Sequence, residues 1–247
     1  MKKVFAFIGS PLRKKSNTCQ ITRMLLDRLA QADSGITGEI ITAGDVRLKY
    51  CAGCWHCMRK GGCPLDKADD MGMLRQKMLE ADFIILGSPV YTMSVSGQMK
   101  TFLDRMAAWY HTMRLAGKPG ITVATTAGSG LETVHELLAM LMAALGVIPV
   151  GKLETRGYFD GILADRDAAE AAAAQCAGEI LPYVRGDKRP ASSQFMEEVF
   201  AAMKQKSVGA REWLQADYEY WRDNGMLDIE SFSELLNRLA GKKTPER

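Results

Sequence analysis

Two segments of this chain carry residue types that can do chemistry. The first is Cys51-x2-Cys54-x2-Cys57-x5-Cys63, which puts four of the six cysteines within thirteen residues. Such clustering points to a metal, a cluster or redox chemistry rather than to a disulfide framework. The x2 spacing lets neighbouring sulfurs converge on one centre in a turning loop, and Gly53, Gly61 and Gly62 free the backbone to turn. Three states suit these residues: a 4Fe–4S cluster, a tetrahedral zinc site, or free thiols that include a redox pair. His56 lies inside the motif and reads as an exposed residue. Cys19 reads as a small buried residue or as a thiol activated by a helix N-terminus, and Cys176 as packing.

The second segment is Gly9-Ser10-Pro11-Leu12-Arg13-Lys14-Lys15-Ser16-Asn17-Thr18, between an apolar run and an amphipathic helix. Gly9 permits a sharp turn. Ser10, Ser16 and Thr18 offer hydroxyls, Arg13 a positive charge, and Ser16 or Asn17 a helix cap. With the free amides and positive dipole end of the helix, these are the parts that a phosphate monoester needs. The dinucleotide fingerprint G-x-G-x-x-G and the Walker G-K-[ST] are both absent. An ordinary capped helix start has the same residues. No Ser-His-Asp or Cys-His arrangement accompanies either segment, and His111 and His135 have no partner pattern.

The elements that must position these loops alternate. Val4 to Ile8, Glu39 to Thr42, Phe83 to Leu86, Ile121 to Ala124 and Val147 to Val150 read as strands. Helices separate and follow them, marked by Ile21, Met24, Leu25 and Leu29, by Met71, Leu74, Met78 and Leu79, by Met99, Phe102, Leu103 and Met106, by Val134, Leu138 and Leu141, and by the Ala-rich stretch 165–184. Alternation of this kind predicts an α/β fold, a five-stranded parallel sheet with helices on both faces. The flavodoxin-like order 2-1-3-4-5 is the natural choice for five strands, and the pattern alone does not fix it. One domain is expected over residues 1–186. A helical C-terminal extension is expected over 187–247, serving oligomerisation or covering the site. The formal charge of +3 gives no case for nucleic acid or an anionic membrane as partner. No apolar run approaches the roughly 20 residues of a membrane helix. The apolar stretch Val4–Ile8 stops at Gly9, which fits a first strand better than an export signal, so the cytoplasm is expected.

The phosphate loop, G-S-P-x4-S-N-T after the first strand, resembles that of the NADPH-dependent FMN reductase family. Gly87-Ser88-Pro89-Val90-Tyr91-Thr92-Met93-Ser94, continuing to Phe102-Leu103-Asp104-Arg105, resembles the same family's second flavin loop. The resemblance covers residues 1 to about 185. It implies a flavodoxin-like fold, bound FMN, and NAD(P)H as electron donor. The flavin ring is then expected against Pro89, Val90, Tyr91, Thr92 and Met93, with Thr126, Ala127 and Gly128 closing the site. The cysteine motif, followed by Asp69-Asp70-Met71, resembles that of the iron–sulfur flavoproteins. By that resemblance Cys51, Cys54, Cys57 and Cys63 hold a 4Fe–4S cluster. Three functions follow: an oxidoreductase passing electrons from NAD(P)H through FMN to a small acceptor such as a quinone or flavin; an electron carrier between ferredoxin, cluster and FMN; or a non-catalytic zinc-binding assembly module. A homodimer or homotetramer is expected.

Overall fold

The computed structural model describes residues 1–241. Its strands are β1 (Lys2–Ile8), β2 (Ile36–Thr42), β3 (Phe83–Tyr91), β4 (Ser94–Val95), β5 (Pro119–Thr126) and β6 (Ile148–Arg156). The helices of the sheet domain are α1 (Asn17–Ala32), α2 (His56–Arg59), α3 (Met71–Glu80), α4 (Gly97–Asp104), α5 (Ala107–Thr112), α6 (Leu131–Ala144) and α7 (Arg166–Arg185). Five strands run parallel in the order β2-β1-β3-β5-β6, and the two-residue β4 pairs antiparallel with the end of β3. This is the expected flavodoxin-like order with one short strand added. Along β1 the side chains alternate between two cores. Val4, Ala6 and Ile8 pack with Ile21, Leu25 and Leu29 of α1 and with Ala173 and Ile180 of α7. Phe5 and Phe7 pack with Leu74 and Met78 of α3, Met99 and Phe102 of α4, and Leu138 of α6.

All five parallel strands outrun the expected bounds, β1 and β5 by two residues at an end and the other three by more. β2 begins at Ile36, because its first residues are edge positions with little apolar signal. β3 continues past Gly87 to Tyr91 and pairs with β5 as far as Pro89. A Cβ at Gly87 would lie 2.6 Å from Ile8 Cδ1, so glycine lets the strand run close against β1. β6 is an edge strand, and its pairing skips Val150 beside Pro149, a bulge that accommodates the missing N–H.

His135 of α6 is buried against the sheet. Its Nδ1 lies 2.6 Å from Thr122 Oγ1, and its Nε2 lies 3.1 Å from Glu154 Oε2. Burial holds its pKa below the ordinary 6.5, outweighing the opposing pull of Glu154. A depressed folded pKa gives stability that is complete above the unfolded value and is lost as pH falls through the folded one. The denaturant midpoint should therefore fall more steeply from pH 7 to 5 in the native protein than in His135→Gln. Parallel slopes would contradict this.

Beyond Gly186 lie α8 (Gln194–Gly209), α9 (Gln215–Asp223) and α10 (Phe232–Gly241). Met196, Phe200, Trp221, Met226 and Phe232 form a third core that closes over Met113, Ala143 and Ile148 of the sheet domain. Trp221 Nε1 donates to the His111 carbonyl at 2.8 Å. Lys206 Nζ lies 2.9 Å from His111 Nε2, so Nδ1 carries the proton given to Asp217 at 2.6 Å. The segment around His111 thus meets the chain's own extension, and α9 also packs on α2 of the cysteine segment. Among the described residues, no helix is long and apolar enough to cross a membrane.

Candidate functional site

The phosphate loop is built on the start of α1. Ser16 caps the helix, its Oγ accepting from Cys19 N at 3.3 Å and its carbonyl from Gln20 N at 2.9 Å. That leaves the Asn17 and Thr18 amides without partners inside the helix, at its positive end. Thr18 Oγ1 lies 2.6 Å from Thr125 Oγ1, which ties the loop to the end of β5. Glycine is required at position 9, since a Cβ there would meet Met99 Cβ at 2.4 Å and the α4 backbone at 3.0 Å. Gly9→Ala should lower stability by about 1–3 kcal/mol, read from denaturant melts; an unchanged midpoint would show that α4 gives way freely.

Above this helix end lies a cleft. Ser10, Lys15, Ser16, Asn17 and Thr18 line one side, and Pro89, Val90, Tyr91, Thr125, Thr126 and Ala127 the other. A third wall of Gly157, Tyr158 and Gly161 comes from the segment after β6. Asn17 Nδ2 donates to the Tyr158 carbonyl at 2.9 Å, and Gln20 Nε2 to the Gly161 carbonyl at 2.8 Å. Gly161 has φ +79°, and a Cβ there would lie 2.5 Å from the Lys15 carbonyl oxygen. Asn17 Oδ1 is buried and has no partner within the protein.

Four expected residues stand outside the cleft lining. Arg13 turns away: its Nε donates to the Gly44 carbonyl at 2.9 Å and lies 3.5 Å from Asp45. Thr92 and Met93, both at positive φ, form the two-residue turn that joins β3 to β4. Met93 Sδ accepts from Ser129 Oγ at 3.3 Å, linking that turn to the loop after β5. The Gly128 amide is already bonded to Thr126 Oγ1 at 3.1 Å. No sequence motif marks the third wall. Its signal was the rule that binding loops follow strand C-termini, but β6 runs six residues past the expected end at Val150.

The cysteine segment follows β2 at the same edge of the sheet. Cys51 and Cys54 are exposed, whereas Cys57 and Cys63 are half-buried. The loop turns through positive φ at Gly53, Trp55, Gly61 and Gly62. His56 is exposed, and its Nδ1 lies 3.3 Å from the Gly62 carbonyl across the loop. Burial raises the Cys57 thiol pKa, the neighbouring Cys63 raises it further, and Arg75 opposes both. Cys19 is buried, and burial outweighs the nearby cations to push its pKa up, which favours packing over reactivity. Cys176 is pushed up to about 12 by burial.

Asp69-Asp70-Met71 anchors the segment's first foot. Asp70 Oδ2 accepts from Arg47 N at 2.7 Å, and Asp69 accepts from Lys49 N at 2.9 Å and from Met71 N at 3.1 Å. The fully buried guanidinium of Arg105 pairs with Asp69 and holds its pKa down against burial.

The sequence model of the NADPH-dependent FMN reductases matches residues 2–155. The chain belongs to the NADPH-dependent FMN reductase family. It is therefore an FMN-dependent oxidoreductase by family. This reductase-family chain is similar to an iron–sulfur flavoprotein of Archaeoglobus fulgidus, 32% identical over 229 residues covering 91% of this chain and 100% of the relative. It is also similar to an iron–sulfur flavoprotein of Methanocaldococcus jannaschii, 35% identical over 161 residues covering 64% of this chain and 81% of that one. Its fold is like that of an NADH:FMN oxidoreductase solved in its apo form (TM-score 0.54, 21% identity, 78% of this chain and 92% of that one).

The cleft of this reductase-family protein fits FMN. The free amides and Lys15 suit a phosphate, and the orphaned Asn17 Oδ1 can accept from a ribityl hydroxyl. The cysteine segment carries the donor chemistry of an iron–sulfur cluster, four soft thiols within thirteen residues of a turning loop. Among the described residues, no three His, Cys, Asp or Glu side chains already converge on a metal position.

Proposed function

We propose that this protein moves electrons between a protein donor and FMN, with a 4Fe–4S cluster held by Cys51, Cys54, Cys57 and Cys63. The observation that carries this reading is the placement of the cysteine segment and the cleft at the same edge of one sheet, joined by α4. When bound, FMN supplies hydride and one-electron chemistry and the cluster supplies one-electron transfer. The residues hold, orient and shield these groups: the α1 amides and Lys15 take the phosphate, and Pro89 to Tyr91 wall the ring. A ferredoxin suits the donor side. From Val46 to Leu65 the chain has Arg47, Lys49, Arg59 and Lys60, all exposed, and no acidic residue. Exposed Tyr50 and Trp55 lie among them. An acidic partner is steered to such a face, so its reduction rate should fall steeply with added salt.

A second reading has NADH or NADPH as donor and a quinone or free flavin as acceptor. It is favoured by the open rim of the cleft, where Tyr91 and Tyr158 are 43% and 57% exposed and leave room for a flat ring. A cytoplasmic setting suits either reading, since thiolate ligands need reducing surroundings. Exposed Phe159 and Ile162, beside the cleft, suit a second copy in a homodimer or homotetramer. The test is anaerobic purification with flavin, iron, sulfide and zinc analysis, followed by stopped-flow mixing with NADH, NADPH and reduced ferredoxin. Iron and sulfide in equal amounts, with flavin reduction by ferredoxin, support the first reading. Flavin bleaching by a nicotinamide without iron supports the second. Zinc alone, with no flavin uptake, contradicts both.

A further inference from the structure

One helix touches both candidate redox sites. At its start, Ser96 Oγ donates to the Gly9 carbonyl of the phosphate loop and accepts from Met99 N at 3.0 Å. Ser96 N donates to Ser88 Oγ of the flavin loop at 3.0 Å. At its end stands Arg105, whose side chain is fully buried. Nη1 donates to the Lys49 carbonyl at 3.0 Å and pairs with Asp69, and Nη2 donates to Asp66 Oδ1 at 2.7 Å and to Asp69 Oδ1 at 3.3 Å. Arg75 locks the same unit from outside, pairing with Asp66 and donating to the Arg105 carbonyl. Lys49 is two residues before Cys51, and Asp66 three after Cys63. A single guanidinium therefore holds both feet of the cysteine segment.

We propose that Arg105 is the positioning residue of the cysteine segment, and that α4 is a strut that sets the segment's distance from the flavin loops. Eight helical residues span about 12 Å, and such a length does not stretch. Only a planar fork can serve two carboxylates and a carbonyl together; a lysine in its place keeps the charge and loses the geometry. Arg105 touches none of the reacting groups and acts through the segment it anchors. The inference rests on the cysteine segment being a working site, but its first readout needs no cluster.

The experiment is alkylation of the metal-free, FMN-loaded protein by a maleimide, with each cysteine followed by mass spectrometry. In Arg105→Gln and in Arg105→Lys, Cys57 and Cys63 should label about tenfold faster than in the native protein, because the loop opens locally. Cys19 and Cys176, both buried in α1 and α7, should be unchanged, which separates loss of position from general unfolding. Iron reconstituted per chain should fall in the same variants while FMN content holds. Should Arg105→Gln fail to fold, Asp66→Asn frees one foot only and should show the same selective labelling. Unchanged labelling of Cys57 and Cys63 in the folded variants overturns the proposal. Absence of iron from the native protein, with the labelling shift intact, counts against the cluster and leaves the positioning role standing.

Discussion

Asn17→Asp is expected to strip the protein of FMN while leaving its fold intact. The side chain keeps its size, so the start of α1 need not move. It exchanges a donor facing the Tyr158 carbonyl for an acceptor and brings a negative charge to the floor of the phosphate site. Repulsion between the new carboxylate and the phosphate costs about 1–3 kcal/mol at a partly solvated site, which weakens FMN by roughly 10- to 100-fold. Quenching of flavin fluorescence by the apoprotein measures this, with circular dichroism to check the fold. Affinity equal to the native protein's would place the flavin away from Asn17.

Trp221→Ala should have the largest effect on stability. Its indole is fully buried among Phe200 and its neighbours, with ring centroids 5.1 Å apart, and its N–H holds the His111 carbonyl. Deleting a buried Trp costs about 3–5 kcal/mol through lost packing and the cavity left behind. The loss should fall on residues 187–241. Limited proteolysis should then cut near 187–193 and yield a fragment that retains FMN, since among the described residues none of the cleft lining comes from the extension. A single cooperative transition with FMN lost at the same midpoint would instead make the extension part of the flavin fold.

Where burial is complete, the sequence carried the signal. β1, the start of β3 and β5 are apolar runs closed on both faces, and the phosphate loop follows from Gly9 and the Ser16 cap. The edges were obscured by the same physics. Lys152, Glu154 and Arg156 of β6 alternate with a single buried Leu153, so the strand looked like loop and hid Tyr158 and Gly161 behind it. Arg13 looked like a phosphate ligand by its place in the loop, but Gly44 and Asp45 hold it, and local spacing cannot reveal a partner 31 residues away. The same holds for Asp69. Its motif was visible, but Arg105 lies 36 residues on and meets it only in three dimensions. Trp221 likewise meets the His111 carbonyl 110 residues back in the chain, a contact that no local pattern announces.

Holding the flavin by its phosphate is the role proposed for the α1 terminus. Titration of the apoprotein with FMN and with riboflavin, side by side, tests it most directly. Riboflavin keeps the ring and the ribityl chain and lacks only the phosphate. Loss of several charge-assisted hydrogen bonds, each about 1.5–3 kcal/mol, should weaken it by at least about 100-fold relative to FMN. Equal affinity for the two would contradict the account.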